Sequence, residues 1–201
     1  MGTKILNFLL AQGIVTILYY AAFYFTPFKP IELPITFIDR NIGFHKVFAY
    51  IYISFFIMLL ISIISVEKSN SYRCAISIVI NALIASFIFF FFPTSMPHIY
   101  YSDEEHTSYF LSKFILAVDI NYNCFPSIHI SNALTASYFL ALNRRLFLKC
   151  IIGFWFLLIT WSVISTKQHY FYDILGGIIL SMISLYVVNK FIHYNKKPLT
   201  N

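Results

Sequence analysis

His169 and Asp173 stand four residues apart in Thr166-Lys167-Gln168-His169-Tyr170-Phe171-Tyr172-Asp173, where a polar segment runs into a long apolar one. If a helix begins near Gln168, the two share a face one turn apart, and the carboxylate can accept the proton on one ring nitrogen. That fixes the tautomer, leaves the other nitrogen as nucleophile or base, and stabilises the imidazolium form. A second histidine, His129, closes Cys124-Phe125-Pro126-Ser127-Ile128-His129 and opens another apolar run. Its Pro-Ser lead-in can expose backbone N–H groups, and helix N-termini suit phosphate. A lone histidine at such a boundary is more often an interfacial polar residue. Three titratable groups at one depth favour chemistry, with one ring attacking while the other donates a proton.

Membrane helices must position these groups. The chain is 59% hydrophobic and only 11% charged, with mean hydropathy +0.75, which is too apolar for a soluble domain. A span needs about 20 mostly apolar residues. Six segments approach that length: Ile5–Phe25, Val47–Val66, Cys74–Phe92, Ile128–Leu142, Phe147–Ser165 and Phe171–Ile192. The expected fold is therefore all-α, a single polytopic membrane domain over residues 1–201 with six transmembrane helices. The fourth segment is short and spans only if Pro126 and Ser127 cap it and Leu146 extends it. The first is too long for a secretory signal and lacks a small-residue cleavage site, so it reads as a retained span.

With both termini on one side, one set of connections carries Lys4, Lys68, Arg73, Arg144, Arg145, Lys149, Lys190, Lys196 and Lys197. The other carries Lys29, Arg40, Lys46, Lys113 and Lys167. The richer set is expected in the cytoplasm, which turns both histidine motifs outward, toward the periplasm or exterior. The net charge of +6 then reads as topology plus attraction to anionic lipid heads, and no nucleic-acid partner is indicated.

Cys74, Cys124 and Cys150 show neither disulfide pairing nor metal-ligand spacing and read as packing residues. Tyr19, Tyr20, Tyr24, Tyr100, Tyr101, Tyr170 and Tyr172 gather near span ends, as interfacial anchors do. Gly176-Gly177, one turn beyond Asp173, suits close helix contact. The long connection Pro93–Phe125 holds His98, the acidic run Asp103-Glu104-Glu105 and His106. Within it, apolar residues at helical spacing over Ser108–Val118 predict an interfacial helix.

At the histidine motifs the chain resembles the type 2 phosphatidic acid phosphatase (PAP2) superfamily of membrane phosphatases and phosphotransferases. Its pattern is Pro-Ser-Gly-His followed by Ser-Arg, five residues, His, three residues and Asp. Pro126-Ser127-Ile128-His129 matches the first part with Ile for Gly. Ser162, His169 and Asp173 match the second in spacing, with Val163 at the arginine position. The wording Cys-Phe-Pro-Ser and Lys-Gln-His-Tyr is similar to the inositol phosphorylceramide synthase-like branch. So is Pro93-Thr94-Ser95-Met96-Pro97-His98, with His98 where that branch has arginine. The resemblance implies His169 as phosphate nucleophile, Asp173 as its orienting partner and His129 as general acid. Lys167 and Ser127, with His98 a weaker candidate, would hold phosphate oxygens. It implies no metal or other cofactor, and a lipid phosphate as substrate.

Three functions compete. One is a lipid phosphatase working through a phosphohistidine. A second is a phosphotransferase in which a lipid or polyol hydroxyl replaces water. The third is a non-catalytic lipid-binding or transport protein, against which stands the lack of an inverted repeat.

Overall fold

The computed structural model describes residues 1–45, 47–96 and 122–192. Within them the chain forms α1 (Gly2–Phe25), β1 (Ile31–Glu32), α2 (Phe37–Asn41), α3 (Phe48–Ile64), α4 (Lys68–Phe91), β2 (Thr94–Ser95), α5 (Ile128–Ala141), α6 (Leu146–Ser165) and α7 (Phe171–Phe191). Each long helix coincides with an apolar run, because only a helix satisfies all of its own backbone polar groups in hydrocarbon.

Among the described residues four helices are long and apolar enough to cross a membrane: α1, α4, α6 and α7. The other two expected spans are shorter. α3 has 17 residues and α5 has 14, or roughly 25 and 21 Å at 1.5 Å per residue against a hydrocarbon thickness of about 30 Å. The extension through Leu146 does not form, because Asn143 takes a left-handed conformation (φ 57°) and reverses the chain. Asparagine tolerates that region better than most residues. Leu146 begins α6 instead.

α5 is the hub, packed against α3, α4, α6 and α7. Ile130, Ala133, Ala136 and Phe139 are wholly buried on it. Polar side chains bind the interior as well. Asn81 Nδ2 of α4 donates to Asn132 Oδ1 (3.0 Å) and Thr135 Oγ1 (3.1 Å) of α5, and Thr135 lies 2.9 Å from Ser181 Oγ of α7. Such interhelical bonds help hold a bundle where lipid offers no hydrophobic drive between helices. Outward, α6 bares Leu146, Phe147, Phe154, Leu157 and Trp161, an apolar surface suited to lipid. Cys74 and Cys124 are buried as expected of packing residues, whereas Cys150 is exposed on α6.

Chain direction brings the ends that matter together. Short reversals join α3 to α4 and α5 to α6, so the starts of α3, α5 and α7 and the end of α6 share one end of the bundle. There β1 pairs in parallel with β2, Ile31 opposite Thr94 and Glu32 opposite Ser95. Thr94 Oγ1 accepts the Phe125 N–H at 2.8 Å, which ties the upstream Pro-Thr element to the Cys-Phe-Pro-Ser stretch.

Gly176 and Gly177 set the spacing of α7 from that stretch. A Cβ on Gly176 would meet the Phe125 ring at 2.5 Å, and one on Gly177 would meet the Ser127 carbonyl oxygen at 2.6 Å. The close approach lets Ser127 N–H donate to the Asp173 carbonyl at 3.0 Å, joining the two motifs through their backbones. A ring can rotate aside more readily than a helix start. Gly177→Ala is therefore expected to destabilise the protein by about 1–3 kcal/mol, the usual cost of overpacking. A thermal melt in detergent reads this, and an unchanged midpoint would mean that the helices separate freely.

Candidate active site

The polar groups at this end form one line of close contacts. Asp173, wholly buried at the third position of α7, accepts the Tyr170 N–H through Oδ2 at 2.8 Å. A carboxylate in that first turn also gains from the helix dipole. The same oxygen lies 3.4 Å from His169 Nδ1. That is ion-pair range but too poorly aligned for a hydrogen bond, and both His169 Nδ1 and Asp173 Oδ1 have no hydrogen-bond partner. His169 Nε2 lies 3.2 Å from His129 Nδ1, and His129 Nε2 lies 2.8 Å from the Tyr52 hydroxyl.

Proton positions follow by elimination when the carboxylate is ionised and both rings are neutral. An ionised Asp173 only accepts, so His169 carries its proton on Nδ1 and keeps a lone pair on Nε2. His129 must then donate through Nδ1 and accept at Nε2, and Tyr52 must donate its hydroxyl proton. This assignment gives every contact a donor and an acceptor. His169 thus holds a basic nitrogen toward His129, and His129 holds a proton toward that nitrogen.

Both rings line a cleft of about 450 Å³. Tyr52, Ile53, Phe55 and Phe56 of α3 form one wall, and Gln12, Val15, Thr16, Tyr19 and Tyr20 of α1 another. Ile128 and Asn132 of α5, residues 122–124 and Gln168 complete it. Apolar walls around a few convergent polar groups suit an amphiphile with a charged head.

Residues 26–187 match the family model of the PAP2 superfamily. The chain belongs to the PAP2 superfamily. Membership carries a phosphatase-type chemistry on lipid phosphates in general terms, and the apolar helices fit a membrane-embedded protein. No curated protein and no solved structure matches the chain.

The PAP2-pattern residues fall into two groups. His129, His169 and Asp173 come together as described. Ser127 and Lys167 do not join the cleft lining. Ser127 is buried as the N-cap of α5, where Oγ accepts the Ile130 N–H at 3.3 Å. Lys167 ends α6 in a Schellman turn: it is left-handed (φ 56°), its N–H reaches Ile164 O at 3.0 Å, and Gln168 N–H reaches Val163 O at 3.0 Å. Its ammonium donates to the backbone carbonyls of Asp39 (2.7 Å) and Ile42. Burial pushes the pKa of Lys167 down, and the charge of Asp39 pushes it partly back. His98, the acidic run, His106 and the Ser108–Val118 helix lie outside the described residues, as do Tyr100 and Tyr101. Among the described residues neither a lysine nor an arginine lines the cleft.

These contacts predict a structural phenotype for Lys167→Ala. Loss of the anchor to the 39–42 segment is expected to cost about 1–3 kcal/mol, read as a lower melting midpoint with a parallel loss of activity. A raised KM at an unchanged midpoint would return Lys167 to the phosphate.

Two residues that support the histidine motifs escape a motif reading. Tyr52 sits 77 positions from His129 in the chain, and nothing local marks it among the aromatics of α3. Asp39 is wholly buried. It accepts the Phe171 N–H at the start of α7 (2.9 Å), the Thr36 N–H (2.8 Å) and the Thr36 hydroxyl (2.6 Å). Thr36-x-x-Asp39 is a capping-box signature and was legible as a helix start. The tyrosines also divide: Tyr24 and Tyr172 are exposed like interfacial anchors, Tyr170 is buried, and Tyr19 and Tyr20 line the cleft.

Proposed function

We propose that this protein is a lipid phosphatase acting through a phosphohistidine at the extracytoplasmic face of the membrane. The observation that carries the reading is the Asp173–His169–His129–Tyr52 line, of which the two rings and Tyr52 line an apolar-walled cleft. The substrate phosphate enters against His169, replacing its contact with His129. His129 is doubly protonated once the anionic phosphate is bound. His169 Nε2 attacks phosphorus, the bond from phosphorus to the lipid oxygen breaks, and His129 Nδ1–H protonates that departing oxygen, which returns His129 to neutral imidazole. Asp173 stabilises the positive ring that results. Water then attacks the phosphohistidine, giving its proton to His129 as inorganic phosphate leaves His169.

Phosphate oxygens in this reading are held by cleft donors, Gln168 among them, in place of the arginines of the family pattern. Such neutral donors lack the bidentate grip of a guanidinium, which favours lipid phosphates presented at high local concentration in a membrane over dilute soluble monoesters. The extracytoplasmic placement rests on the Lys/Arg distribution among the connections.

The wording of Cys124-Phe125-Pro126-Ser127 and Lys167-Gln168-His169-Tyr170 favours one alternative, transfer of the phosphoryl head group to a hydroxyl acceptor on the same machinery. The deciding experiment incubates purified protein with labelled lipid phosphates, with and without alcohols, and resolves free phosphate from new phosphate monoesters of the alcohol. Hydrolysis independent of added alcohol is the expected result. Label passing only into those new esters would replace the phosphatase reading with the transferase one.

A further inference from the structure

α1 precedes the family-matched residues, which begin at position 26, yet it supplies a wall of the cleft. The face it presents is unusual for a span. Gln12 and Thr16 stand one turn apart among Leu9, Leu10, Ile14, Val15 and Ile17, and both line the cleft. Tyr19 marks the level of the histidine motif on this helix, because its carbonyl accepts from Asn123 Nδ2 at 3.5 Å and its hydroxyl donates to the Tyr122 carbonyl at 3.3 Å. Gln12 lies seven residues back, roughly 10 Å further along the helix axis. The cleft therefore has one polar level at the histidines and a second further along α1, where Asn132 of α5 also lines it.

Gln12 Nε2 is enclosed and has no hydrogen-bond partner. Leaving an amide donor unpaired in an apolar span is costly. An amide that served only to glue helices would pair across the bundle, as Asn81 does with Asn132 and Thr135. Gln12 lines the cleft as a residue, and a turn of its terminal amide about the last side-chain bond would bring the unpaired Nε2 to an acceptor on a ligand there.

In an acylated lipid phosphate the first acceptors below the phosphate are the acyl carbonyl oxygens, followed only by hydrocarbon. With the phosphate against His169, those carbonyls point down the cleft along α1. We propose that Gln12 donates through Nε2 to an acyl carbonyl of the substrate, so that the cleft selects acyl-linked over ether-linked lipid phosphates. This rests on the lipid-phosphatase reading above and adds to it the part of the lipid that is read.

The test compares a diacyl glycerol phosphate with its dialkyl ether analogue of equal chain length, in the same detergent micelles, using the full-length purified protein. Wild type is expected to favour the diacyl lipid about fivefold in kcat/KM, the equivalent of one hydrogen bond of ordinary net strength. Gln12→Met, which keeps the length of the side chain but removes the donor, is expected to bring the ratio near one. Equal turnover of the two lipids by wild type would overturn the subsite while leaving the phosphatase reading intact, and it needs no variant to fold. A fivefold preference that survives in Gln12→Met would overturn the role of Gln12. Turnover of neither lipid would overturn the phosphatase reading and the subsite with it.

Discussion

His169→Ala is expected to abolish phosphoenzyme formation with every substrate, whatever its leaving group. The expectation comes from the asymmetry between the two rings. His169 Nε2 holds a lone pair because Asp173, 3.4 Å away, requires the proton on Nδ1, and attack on phosphorus leaves a positive ring that the same carboxylate stabilises. His129 has a tyrosine hydroxyl as its outer partner and presents a proton where a nucleophile needs electrons. A hydroxyl cannot stabilise an imidazolium as a buried carboxylate does, so His129 is a poor substitute. Rapid alkaline quench with radiolabelled lipid phosphate, which preserves a phosphorus–nitrogen bond, measures the intermediate directly. Label trapped on the His169→Ala protein would reassign the nucleophile.

The helices were legible in the sequence because hydrocarbon forces apolar runs into helical form. Their ends were less so. Hydropathy placed the third expected span at Cys74–Phe92, whereas α4 starts at Lys68. The polar turn from Lys68 to Arg73 is already helical, and polarity marks a change of solvent rather than an end of backbone hydrogen bonding. For the same reason α1 begins at Gly2 rather than Ile5. The opposite error occurs at α5. Its apolar run continues into Leu142 while Asn143 turns the backbone, so the helix stops at Ala141, too short to be assigned as a span by length. The 26–47 connection passes as an ordinary loop in a hydropathy reading. Yet its Thr36-to-Asp39 capping box fixes the buried carboxylate that receives the first turn of α7.

Site residues divide by the range of the contact that positions them. His169 and Asp173 are four apart, but the helix expected from near Gln168 begins only at Phe171, so His169 stands just before the N-cap Tyr170 and the pair meets across the helix start rather than along one helical face. His129 follows from a pattern in which two helix starts return to one end of the bundle. Tyr52 depends on the packing of α3 against α5, for which no spacing rule exists. Lys167 shows the limit of reading a cation by proximity in sequence. It stands two residues from His169, but the left-handed turn that closes α6 directs its ammonium to the Asp39 and Ile42 carbonyls. Gln12 lies outside any motif, and only the cleft gives it a role.

His129→Ala is expected to separate substrates by their leaving groups. A general acid contributes about 10²–10⁴-fold, and nearly all of that is needed when a lipid alkoxide departs, because an unprotonated alkoxide is a strong base. An aryl phosphate such as 4-nitrophenyl phosphate expels a stable phenolate without help. The variant is therefore expected to lose about 10²–10⁴-fold on the lipid phosphate and to retain most of its burst of phenolate release on the aryl ester. The proton concerned sits on Nδ1, 3.2 Å from the attacking nitrogen in the free protein. A phosphate inserted there parts the two rings and turns that N–H toward the oxygen about to leave. In the neutral ring of the free protein Tyr52, 2.8 Å from Nε2, favours the proton on Nδ1, the nitrogen that faces the substrate. Stopped-flow absorbance for the aryl ester and radiolabelled phosphate release for the lipid give the two rates. Equal losses on both would mean that His129 orients His169 or the phosphate rather than the departing oxygen, and would leave the general acid to be sought at Tyr52.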